Sequence, residues 1–312
     1  MVAVQARHTV NWLRCAVGDA SVGIDLAQVV GVERGEQLAA APTETEPGRL
    51  VVRGAGVPVF PLAWWFSGGP TVPRAGGQVI LVATPRGRFG LLVDRVAPVA
   101  RVSAGEVVPP PPGLGAAAAR LLHGVVLSGH GPVGLLNVDA LDPAHEPGPP
   151  PPARPAPRPE VRRSGGTGGV DRLLTFARTE VPGPNGRAVA LGLPVGAVDE
   201  VCDVPVGSPV AAADEHVREL IAVRGRPLAL ADAARWVGLP GAAATRRVVV
   251  VRAGEHAIAV SAGSGVQVVP AALPSVPLRH RLSLRTDRLL GAFDTTDLTI
   301  LVPRWTDLLD GE

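Results

Sequence analysis

The sequence contains no lysine: its 30 basic residues other than histidine are all arginine, and with 28 acidic residues they leave a formal charge of +2. The pI is near 9.0, but arginines scattered along the chain make a poor footprint for a polyanion, so nucleic acid is not expected as a partner. The shortage of lysine beside abundant Ala, Gly, Pro and Arg reads as codon bias and carries no mechanism. Only two cysteines are present, Cys15 and Cys202, one in each half. They cannot build a disulfide framework, which fits a reducing compartment. No stretch reaches the roughly 18 apolar residues of a membrane span, and Arg7, His8, Asn11 and Arg14 interrupt the N-terminus where a signal peptide needs an apolar run. A cytoplasmic protein without membrane insertion is expected. The seven histidines lie far apart, without H-x-x-x-H or Cys-x-x-Cys spacing, so no metal is expected. A G-x-S-x-G elbow, a Walker loop and a dinucleotide fingerprint are all missing, so no catalytic residues are assigned and no cofactor is expected. Aromatic residues make up just 3% of the chain.

What is plentiful is apolar surface and turns. Hydrophobic residues form 46% of the chain, enough to offset the entropy of ordering it. With 38 Gly and 33 Pro, long helices are disfavoured and a many-turned, all-β architecture is expected. A length of 312 residues suggests two domains of about 150 residues each. Residues 143–170 read PAHEPGPPPPARPAPRPEVRRSGGTGGV, a proline tract followed by glycine, with almost nothing to bury. This stretch reads as a linker, stiff and then swivelling, between domains at 1–142 and 171–312. Proline-rich segments also bind aromatic grooves, which is the alternative reading.

The two flanks repeat one order of parts. NWLRCAVGDASVGID is matched by LLTFART and AVALGLPVGAVDEV, each a strand, a turn and an alternating strand. LVVRGAGVPVFPL is matched without gaps by LIAVRGRPLALADA, with Arg224-Gly225 at the place of Arg53-Gly54. VILVATPRGRFGLLVDRV and RVVVVRAGEHAIAV read as hairpins. LLHGVVLSGHGPVGLLNVDAL and LLGAFDTTDLTILVPRWTDLL each read as a hairpin followed by a short turn of helix.

In this ordered series both halves resemble the CheW family of chemotaxis coupling proteins. The first half matches at Val32-Glu33, Arg53-Gly54, Val57-Pro58-Val59, Leu62, Val93-Asp94-Arg95-Val96, Gly124-Val125 and Leu135-Leu136-Asn137. The second half matches at Val198-Asp199-Glu200-Val201, Arg224-Gly225, Pro227-Leu228, Asp232, Gly291-Ala292 and Ile300-Leu301. It departs further from the pattern, because Ala229 and Val260-Ser261-Ala262-Gly263 replace family residues; in the first half Pro61 stands where the family has Asp. The resemblance implies two tandem modules, the second diverged, each of two five-stranded SH3-like barrels with a few short helices. It also implies a non-enzymatic scaffold that joins chemoreceptors to the regulatory domain of a CheA-like histidine kinase, with other CheW-like scaffold copies as further partners and no cofactor. The protein-binding residues it points to are Arg53, Gly54, Val57, Pro58, Val59, Leu62, Asp94, Arg224 and Gly225.

Each of these also has a structural reading. Arg53 and Arg224 either offer a planar fork to a partner carboxylate or bond their own loops. Val57, Pro58 and Val59 form either a docking ridge or core beside a protected edge. Asp94 suits turn amides or a neighbouring arginine. The Trp64-Trp65-Phe66 cluster belongs either in the core or against a partner. Two other functions stay open: an adaptor diverged toward another motility or developmental pathway, and an all-β enzyme or ligand-binding protein with a pocket between barrels. The latter predicts a deep cleft with convergent polar groups.

Overall fold

A computed structural model describes residues 9–43, 46–66, 77–129, 131–142, 172–182, 187–203, 207–211, 213–240, 247–263, 265–270 and 284–310. The segment expected as a linker, 143–170, lies outside them. The chain divides into two compact units. Unit 1 takes in Met1–Pro110, Ala116–Pro150 and Gly207–Ala213; unit 2 takes in Pro111–Gly115, Pro151–Val206 and Asp214–Glu312.

Unit 1 runs β1 (Thr9–Val17), β2 (Ala20–Asp25), β3 (Val29–Arg34), β4 (Leu38–Ala40), β5 (Gly48–Val52), β6 (Ala55–Pro61), β7 (Gln78–Thr84), β8 (Gly87–Val93), β9 (Arg95–Ser103), β10 (Val107–Val108), α1 (Ala116–Leu121), β11 (Leu122–Ser128) and β12 (Gly131–Leu136). These strands form two sheets, ordered β10-β11-β12-β2-β1-β9 and β3-β7-β8-β6-β5-β4. Neighbours are antiparallel except β12–β2 and β6–β8.

Unit 2 runs β13 (Arg172–Pro182), β14 (Ala188–Pro194), β15 (Val198–Asp203), β16 (Val217–Val223), β17 (Arg226–Ala231), α2 (Ala233–Trp236), β18 (Arg247–Ala253), β19 (His256–Ser261), β20 (Gln267–Pro270), β21 (Leu289–Asp294), β22 (Leu298–Pro303) and α3 (Trp305–Asp310). Its sheets are ordered β20-β13-β14-β22-β21 and β15-β18-β19-β17-β16. The parallel pairs are β14–β22 and β17–β19, which stand at the same places as those of unit 1. Strand for strand the two units share one topology, as the repeated sequence predicts. The sheets of unit 1 count six strands rather than five because the short β4 and β10 each add a rung.

Alternation explains how each sheet buries one face. In β5 and β6, Leu50, Val57 and Val59 turn inward and join Val79, Leu81 and Leu92 in one core cluster. In β16 and β17 the matching residues Ile221, Leu228 and Leu230 join Val248, Val250 and Ala259 in another. Each fully buried aliphatic side chain contributes about 1.5–3 kcal/mol of transfer free energy. The other sheets carry their own clusters, around Trp12, Val133 and Leu135 in unit 1 and around Leu173, Ile300 and Val302 in unit 2. Cys15 belongs to the core of unit 1, where burial pushes its thiol up to about 12, so it packs as a small apolar group. Among the described residues no helix is long and apolar enough to cross a membrane.

Candidate protein-binding site

The most distinctive local geometry lies at the tips of two equivalent hairpins. Val52 pairs with Ala55 and Val223 with Arg226, leaving Arg53-Gly54 and Arg224-Gly225 as two-residue turns. All four turn residues have positive φ: 50° and 82° in the first hairpin, 49° and 75° in the second. This is the type I′ pattern, whose twist suits a hairpin but whose first central position favours Asn, Asp or Gly. An L-residue with a long side chain there costs about 1–2 kcal/mol, because Cβ crowds the following carbonyl. The strain occurs at the same position in both units, and strained residues cluster where binding needs a side chain held outward.

The two arginines have different surroundings. Arg53 is exposed and makes no ion pair or hydrogen bond among the described residues. Arg224 Nη2 lies 2.7 Å from Glu200 Oε2 on β15. Because β15 and β16 are the two edges of their sheet, this ion pair shows that the five strands curl into an open barrel, bridged at its seam by side chains rather than by a ladder. Beneath the seam is a cavity of about 280 Å³ floored by Leu228 and Val250. Its rim carries a second pair, Arg252 with Asp199, and Arg252 holds the Asp199 carboxyl below its ordinary range chiefly by hydrogen bonding. Arg226 completes the rim. These seam partners come from strands far apart in sequence, and no local pattern announces them.

The remaining expected site residues divide by burial. Gly54 is exposed beside Arg53 and Gly225 beside Arg224, while Pro58 is exposed farther down β6, where it pairs with Arg49. Val57, Val59 and Leu62 point into the core, where Val59 and Leu62 are fully buried. Phe60 packs edge-on against both Trp64 and Phe89, which ties the segment after β6 to the barrel; Trp64, Trp65 and Phe66 are all part-buried. Asp94 lies apart from the hairpin tip: its Oδ2 accepts the Gly18 amide at 2.6 Å and braces the β1–β2 turn. The equivalent place in unit 2 holds Ser261, which is buried. Asp94→Ala removes a charge-assisted but exposed bond, so unit 1 should lose about 1 kcal/mol in urea unfolding. An unchanged midpoint would show that the turn holds without it.

Two units, each of two sheets in the same strand order and each with an Arg-Gly hairpin tip, define a tandem all-β class of protein. The CheW-like domain family model matches residues 11–144 and again 185–308. The chain therefore belongs to the CheW-like domain family, with two copies in tandem. Among solved structures it is similar to the scaffolding protein TtCheW from Thermoanaerobacter tengcongensis, at 18% identity and a TM-score of 0.38, over 44% of this chain and 90% of that one. A search of curated proteins gave no match.

Proposed function

We propose that this chain is a non-enzymatic, cytoplasmic scaffold of bacterial chemotaxis signalling, coupling chemoreceptors to the regulatory domain of a CheA-like histidine kinase. The observation that carries this reading is the pair of arginines held in left-handed backbone at the tips of duplicated hairpins, in a chain of the CheW-like family. In unit 1 the contact surface is Arg53 and Gly54 at the tip with Pro58 on the outer face of β6; Val57, Val59 and Leu62 support it from within, and Asp94 braces the separate β1–β2 turn. In unit 2 it is Arg224 and Gly225. A guanidinium presents a planar fork of donors to a partner carboxylate, and two such surfaces on one chain raise effective concentration in an array. The charged rim of the unit 2 cavity is neutralised from within, because Arg224 pairs with Glu200 and Arg252 with Asp199.

The test is a pull-down of the full chain with the purified kinase regulatory domain and, separately, with receptor signalling tips. Capture of both is expected. No capture of the kinase domain, at concentrations where an ordinary coupling protein binds it, would overturn the reading. Capture of receptors or other scaffold copies without the kinase would favour an adaptor of another motility or developmental pathway.

A further inference from the structure

The β16–β17 hairpin is held at its base as well as at its tip. Val217, its first residue, pairs with Ala231, its last. Immediately outside that pair, the Asp232 amide donates to the His216 carbonyl at 2.7 Å and closes the base. The His216 side chain is 4% exposed, and its Nε2 is buried without a hydrogen-bond partner. Its ring lies 6.4 Å from that of Trp236 in α2, which is itself fully buried. Trp236 is in turn tied to Arg288, whose guanidinium carbon sits 5.1 Å from the indole ring and whose Nη1 donates to the Trp236 carbonyl at 3.0 Å.

A proton arriving on this imidazole would place a charge in a corner that is largely closed to water, with Nε2 sealed inside it. The charged groups around it pull in both directions. Asp214 and Glu215, on its own segment, favour the proton, Asp214 the more strongly because Glu215 is already paired with Arg285 at 2.7 Å. Arg285 and Arg288 add positive charge from the segment before β21. On the α2 side, Asp232 accepts the Arg235 amide, and Arg235 donates to the Glu215 carbonyl. Burial of Nε2 without a partner makes the ring hold a proton less readily while the corner is closed.

We propose that His216 is an acid-responsive pin at the base of the β16–β17 hairpin: neutral, it keeps the corner shut; protonated, it releases the hairpin that carries Arg224 and Gly225. The device belongs to unit 2 alone. Aligning Arg53 with Arg224 puts Thr45 opposite His216 and Pro61 opposite Asp232. Thr45 does not titrate, and Pro61 has no N–H with which to close the base.

The sign follows from burial, the largest influence, which with Arg288 and Arg285 outweighs the opposing pull of Asp214 and Glu215 and lowers the affinity of His216 for a proton below its ordinary value. The open hairpin therefore binds more protons than the closed one. Closure is fully stable above the ordinary histidine range and weakens as pH falls through about 6.5. Opening at pH 5.5 is therefore favoured over pH 7.5 by at most about tenfold, the limit reached when the closed corner takes up no proton.

Hydrogen–deuterium exchange on the full chain, corrected for intrinsic pH dependence, tests this. Protection of 217–231 should fall, by up to about tenfold, between pH 7.5 and 5.5, while that of 48–61 stays level. His216→Gln should abolish the difference. Equal responses in both hairpins, or a response that survives in the variant, would overturn the proposal. Should the variant fail to fold, imidazole NMR of the native chain decides: a His216 midpoint below 6.5 supports the pin, and one at or above 6.5 overturns it. Consequences for partner capture rest on the role proposed for Arg224. Exchange reads the hairpin directly, so either idea can fail without the other.

Discussion

Replacing Arg53 by Asn should make unit 1 more stable and at the same time a poorer binder. Arg53 sits at φ 50° with an exposed side chain that makes no ion pair or hydrogen bond among the described residues. Asn enters the left-handed region more easily, so the substitution relieves up to about 1 kcal/mol of strain. On the role proposed for Arg53, losing the guanidinium should also remove a partner's bidentate contact, worth about 1.4 kcal/mol, or tenfold in affinity. Thermal melting of the variant and calorimetric titration with the kinase regulatory domain would separate the two effects. A fall in stability would mean that the arginine holds its own loop. Unchanged affinity would mean that it does not touch the partner.

Leu62→Ala should have the largest effect on folding. Leu62 is fully buried directly after β6, in the short helical turn that leads to Trp64 and Trp65. Truncation costs the lost transfer energy plus a cavity, about 2–5 kcal/mol, which is a large part of a typical domain's margin. Tryptophan fluorescence in denaturant would show an early transition for Trp12, Trp64 and Trp65 of unit 1, while Trp236 and Trp305 of unit 2 report a later one. Binding by the variant should fall only in proportion to the unfolded fraction. A native-like midpoint would require the site to collapse around the smaller side chain.

These predictions differ in kind because Leu62 and Arg53 belong to one sequence motif but to opposite sides of the fold. Motif matching places Arg53, Val57, Pro58, Val59 and Leu62 together as binding residues. Strand alternation sends Val57 and Val59 inward and leaves Arg53, Gly54 and Pro58 outward. Period-two burial was readable in principle from the Val-Pro-Val spacing; the left-handed turn was not, because arginine carries no intrinsic preference for it. Asp94 shows the same division. Its place after an apolar strand suggests a carboxylate bound to turn amides, but its actual donor, Gly18, comes from the far end of the unit's first hairpin.

The sequence by itself determined the all-β class, the duplication, the order of hairpins and the two Arg-Gly tips, because alternation, turn chemistry and repetition are local properties written residue by residue. Only the tertiary structure decided which tip is free and which is latched, that the β15–β16 seam is bridged by Arg224 and Glu200, and that His216 is buried at the base of one hairpin. Those facts depend on strands and turns brought together by sheet curvature and core packing. Interactions between residues distant along the chain leave no periodic trace, so no reading of spacing alone recovers them.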